Sequence, residues 1–62
     1  MLALRFYIDR KNGSEHSRMI DTRETDEGKA RTQVGKLLKK GETVNSVASI
    51  YVPDDDESFE LV

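Results

Sequence analysis

The stretch T-D-E-G-K-A-R-T-Q-V-G-K-L-L-K-K-G, residues 25–41, decides how the rest of the chain must be arranged. Ala30, Val34, Leu37 and Leu38 fall at i, i+4, i+7 and i+8, a single apolar stripe on a helix. Thr25 suits the N-cap, Asp26 and Glu27 the positive end of the helix dipole, and Lys39 and Lys40 its negative end. Gly41 stands where a left-handed residue closes a helix. One amphipathic helix is predicted here. Gly35 inside it costs up to about 1 kcal/mol relative to alanine, so a close neighbour is expected at that point.

On the N-terminal side, Leu2, Leu4, Phe6 and Ile8 alternate with Ala3, Arg5, Tyr7 and Asp9, the period of a half-buried strand. K-N-G-S-E-H-S, 11–17, reads as a turn, with Asn12-Gly13 supplying positive φ angles. Arg18 to Arg23 is a second strand of weak pattern, expected at a sheet edge. On the C-terminal side, T-V-N-S-V-A-S-I-Y-V, 43–52, is rich in β-branched residues and ends at Pro53. It reads as a central strand of ambiguous phase: Val44, Ala48, Ile50 and Val52 share one face, Val47 and Tyr51 the other. Asp54-Asp55-Asp56-Glu57 is then a turn, and Ser58 to Val62 a short final strand. The expected fold is a two-layer α+β domain over residues 1–62. It has ββαββ order and a mostly antiparallel sheet in the order 2-1-3-4, with the helix across one face. The expected core is Leu4, Phe6, Ile8, Ala30, Val34, Leu37, Leu38 and Ile50.

Size sets the energetic frame. A 62-residue chain buries only about 60% of the surface its unfolded form exposes. With no cysteine, neither disulfides nor thiolate metal sites can reinforce it, and a reducing, cytoplasmic setting is expected. A marginal core together with an uncovered sheet face, or an unpaired strand edge at residues 18–23, predicts self-association, a two-fold homodimer being the commonest form. The N-terminal run is broken by Arg5 and closed by Asp9 and Arg10, which argues against a signal peptide or a membrane span.

Chemistry-bearing patterns fail on spacing. Ser14-Glu15-His16-Ser17 places a hydroxyl, a carboxylate and the only histidine side by side. Catalytic sets are instead assembled across a fold, so this reads as a hydrophilic loop. His16 alone supplies too few ligands for zinc. G-K-A-R-T-Q-V-G-K, 28–36, has six residues between its glycines where a phosphate loop has four, and Leu37 follows the lysine. The acidic run has consecutive carboxylates and no glycine, unlike a calcium loop. No catalytic residue, metal or cofactor is assigned, and the chain is read as a non-enzyme.

Binding remains. The uncovered face is expected to carry Ala3, Arg5, Tyr7, Val47, Ser49 and Tyr51, which mixes the apolar, aromatic and arginine types favoured at interface cores. Arg5, Tyr7, Ser49 and Tyr51 are the expected contacts of a protein partner. The chain then reads as a small interaction or regulatory protein acting through an open sheet face or a strand edge, in the manner of a bacterial or phage accessory or inhibitor protein. The alternative is a nucleic-acid-binding module. Lys29, Lys36 and Lys40 lie within roughly 40° on a helical wheel, and Arg5, Tyr7 and Tyr51 supply a phosphate contact and a stacking platform. Charge divides the chain. Residues 1–41 hold all ten basic groups and six acidic ones, a net +4, and residues 42–62 hold the other six acidic groups. Asp54, Asp55, Asp56 and Glu57 therefore read as a solvated turn, or as a surface steering a basic partner.

Overall fold

A computed structural model describes residues 1–10 and 18–62. Its elements are β1 (Leu2–Arg10), β2 (Arg18–Thr22), α1 (Glu27–Gly35) and β3 (Glu42–Tyr51). The three strands form one antiparallel sheet in the order β2-β1-β3, with α1 packed against one face. β1 is central because its alternation gives it a wholly apolar face. Phe6 and Ile8 are fully buried, and with Ile20, Ala30 and Val34 they make the core, flanked by half-buried Leu4, Leu38, Val44 and Val47.

An irregularity in β3 settles its phase. Tyr7 lies opposite Ser46 but Ile8 lies opposite Val44, so Asn45 is an extra residue, a β-bulge. Val47 and Val44 are three apart and would otherwise face opposite ways. The bulge turns both toward the core, while Ala48 and Ile50 stand on the face away from α1, opposite Arg5 and Ala3. Ile50 is therefore not part of the helix-side core.

The helix is shorter than the apolar stripe suggests. Asp26, not Thr25, is the N-cap, its carboxylate accepting the Lys29 N–H at 3.0 Å. Gly35 is the last helical residue, and the Leu37 N–H turns back to the Val34 carbonyl, 2.9 Å, in a tightened final turn. Apart from the helix backbone and the adjacent residues, no atom of the described residues lies within 4 Å of a Cβ built at Gly35, so the close neighbour expected there is absent. Beyond the helix, Leu37 is 43% exposed rather than buried. The cause lies in the turn. The Arg18 guanidinium donates to the Leu37 carbonyl at 2.9 Å and to both Glu42 carboxylate oxygens at 2.8 Å, and Glu42 also accepts the Lys39 N–H. This knot pulls residues 37–42 off the helical path. Gly41, at φ 85°, serves the turn into β3 and not the helix end.

The expected fourth strand is not formed beside β3. The chain leaves the sheet at Pro53 and arrives at the opposite edge, where the Val62 N–H donates to the Asp21 carbonyl and the Arg23 N–H to the Val62 carbonyl. Leu61 and Asp21 make an isolated parallel bridge. On the way the tail covers the end of β1. Ala3 is 1% exposed although it lies on the face away from α1, and Phe59 walls the same groove as Arg5 and Asp21 on that face. The N-terminal ammonium ties the start of the tail, donating to the Val52 carbonyl at 2.7 Å and to Asp54 at 3.2 Å. β3 is consequently an edge strand, not a central one.

Candidate functional site

With β3 at the edge, its outward backbone groups define the site. Met1 and Val52 exchange both backbone bonds, 2.7 and 2.8 Å, so they are a hydrogen-bonded pair. Antiparallel ladders alternate hydrogen-bonded and non-hydrogen-bonded pairs. Ala3–Ile50, Arg5–Ala48 and Tyr7–Ser46 are thus bonded pairs, and the N–H and C=O groups of Val47, Ser49 and Tyr51 point away from β1. No described residue takes them up. From Thr43 to Val52 there is no charged residue and no proline. Natural edges carry lysine, proline or inward charges to prevent pairing; here only the bulge at Asn45 interrupts the strand.

The side chains of these residues lie on the helix side, because Leu2 is opposite Tyr51, Leu4 opposite Ser49 and Phe6 opposite Val47. α1 lies over β1 and β2, and from β3 only Val44 and Val47 pack toward the core it covers. Tyr51 is left 68% exposed and Leu2 63%, an apolar pair beside the open edge. Leu2 belongs to the same alternation as Leu4, Phe6 and Ile8, but it lies beyond the span of a nine-residue helix.

The expected partner-contact residues are therefore divided between two faces. Ser49 and Tyr51 flank the edge on the helix side. Arg5 and Tyr7 lie on the other face with Ser46 and Ala48. Arg5 is also engaged: its Nε and Nη2 donate to the two oxygens of Asp21, opposite it on β2, at 2.8 and 3.1 Å. Hydrogen bonding to Asp21 holds its pKa above the ordinary arginine value. Lys29 lies in α1, Lys36 is its C-cap and Lys40 belongs to the following turn, so helical spacing does not gather the three. Asp54 to Glu57 form an exposed turn. In it the Asp56 carboxylate accepts from the Ser58 hydroxyl and N–H, 2.6 and 2.9 Å, which holds its pKa below the usual carboxylate value. Ser14 to Ser17, like Asn12-Gly13, lie outside the described residues.

The groove walled by Phe59, Arg5 and Asp21 encloses about 580 Å³ and is also lined by Met19, Leu37 and Val62. Met19 is 55% exposed. Among the described residues no cluster of three histidine, cysteine or carboxylate side chains is placed to hold a metal, and no helix is long and apolar enough to cross a membrane. Comparison of the chain with protein-family models, with curated proteins and with solved structures finds no match.

Proposed function

We propose that this protein is a non-enzymatic binding module that takes an extended segment of a protein partner onto the outer edge of β3. The observation that carries this reading is the run of outward-pointing backbone groups at Val47, Ser49 and Tyr51 on a strand with no charge from Thr43 to Val52. Strand addition draws its affinity from main-chain hydrogen bonds and its specificity from pockets for alternate side chains. Leu2 and Tyr51 supply the apolar part of such a pocket. Nucleic-acid contact through Arg5 has less support, because Asp21 already occupies the guanidinium fork.

Panning a displayed random-peptide library against the purified protein tests the reading. Enriched peptides should alternate apolar and polar residues, and their binding should be lost in Ser49→Pro. That substitution deletes an outward N–H while leaving the bonds between β1 and β3 in place. Binding that survives in a folded Ser49→Pro variant would refute the edge as the working surface.

A further inference from the structure

The edge of β3 is complementary to itself. The outward residues Val47, Ser49 and Tyr51 are spaced symmetrically about Ser49, and the regular part of the strand runs from Ser46 to Val52, beyond the bulge. We infer that the segment that pairs with this edge is β3 of a second copy, antiparallel about a two-fold axis at Ser49, giving one continuous six-stranded sheet. This rests on the reading of the edge as the working surface and names its occupant.

Three observations converge on a second copy. In this register Ser49 faces the partner's Ser49, and Val47 faces the partner's Tyr51, a β-branched–aromatic pair of the kind that stabilises neighbouring strands. The run from Thr43 to Val52 carries no charge, so pairing it with itself brings no like charges together along the ladder. The carboxylates of Asp54 to Glu57 stay off the ladder, because the chain leaves the sheet at Pro53. Finally, the apolar groups beside the edge need cover. Leu2 and Tyr51, 63% and 68% exposed, stand on the side that α1 leaves open. Across the axis each Tyr51 would lie against Val47 of the other copy, with Leu2 behind it. The contact is isologous: it uses one patch twice and closes at two chains.

The absence of cysteine allows a clean test of the register. Hydrogen-bonded antiparallel partners have Cα atoms about 5.5 Å apart, inside the range of about 4.4–6.8 Å that a disulfide spans. Ser49→Cys is therefore expected to form a covalent dimer under mild oxidation. Ser46→Cys, which faces residue 52 of the other copy, is expected to form no cross-link. Sedimentation equilibrium of the unmodified chain should give twice the 7.1 kDa monomer mass at micromolar concentration. Ser49→Pro, with unchanged circular dichroism, should weaken association by about tenfold or more through the lost donor. A monomer at every concentration overturns the inference. So does a dimer indifferent to Ser49→Pro, or cross-linking of the Ser46→Cys variant in preference to the Ser49→Cys variant. A monomer that still binds library peptides in a Ser49-dependent way removes the second copy but keeps the edge. Loss of both removes the edge as well.

Discussion

Asp26 and Gly35 bound the helix, and each carries a prediction. The Asp26 carboxylate is an N-cap, so Asp26→Ala should cost about 1 kcal/mol, whereas Thr25→Ala should be close to neutral. Gly35 is helical with open space around its Cβ position, so Gly35→Ala should stabilise by about 0.5–1 kcal/mol. Urea denaturation of the three variants measures both effects. Glu42 sets an acid limit. Hydrogen bonds from Arg18, with the Lys39 N–H adding to them, bring its pKa down from 4.5 to about 2. Below pH 4.5 the unfolded chain takes up a proton there that the folded chain does not, so stability falls as pH drops from about 4.5 toward 2. Glu42→Gln should show a shallower loss across that window when the denaturation midpoint is followed against pH. Asp56, also depressed, contributes in the same direction.

At the scale of elements, the periods in the sequence were legible wherever tertiary structure did not interrupt them. The period of two in Leu4-Phe6-Ile8 and the four-residue step from Ala30 to Val34 both lead into the core. The step to Leu37 fails because Arg18 and Glu42, from two different strands, hold the turn after Gly35. No local pattern announces a guanidinium from residue 18 at a carbonyl of residue 37. The same holds for the bulge at Asn45, which exists only relative to β1. It divides Ser49 and Tyr51 from Arg5 and Tyr7, which period-two reasoning joins. The energetic consequence is direct. Leu37→Ala should cost less than about 1 kcal/mol, whereas Ile8→Ala should cost about 2–5 kcal/mol, as buried aliphatic truncations do. Thermal melting of the two variants side by side shows whether Leu37 belongs to the core-facing stripe of Ala30, Val34 and Leu38.

For the molecule as a whole, the two edges of the sheet are unlike. Leu61 and Val62 lie against β2 at Asp21 to Arg23, while β3 is bare among the described residues. The choice of edge was not legible in Ser58 to Val62, whose alternation suits a strand beside either β2 or β3. A growing polymer needs two reactive ends on every unit, and here the β2 end is partly occupied, by Val62 at the Asp21 carbonyl and the Arg23 N–H. If β3 pairs with a second copy as inferred, addition at β3 closes at two units. Deleting Ser58 to Val62 would free the β2 end. The shortened chain should then elongate into fibrils that bind thioflavin T after a lag, while the full chain stays clear at equal concentration. On that reading, a few residues of tail would act as a chain terminator for a strand that carries no charge of its own to stop growth.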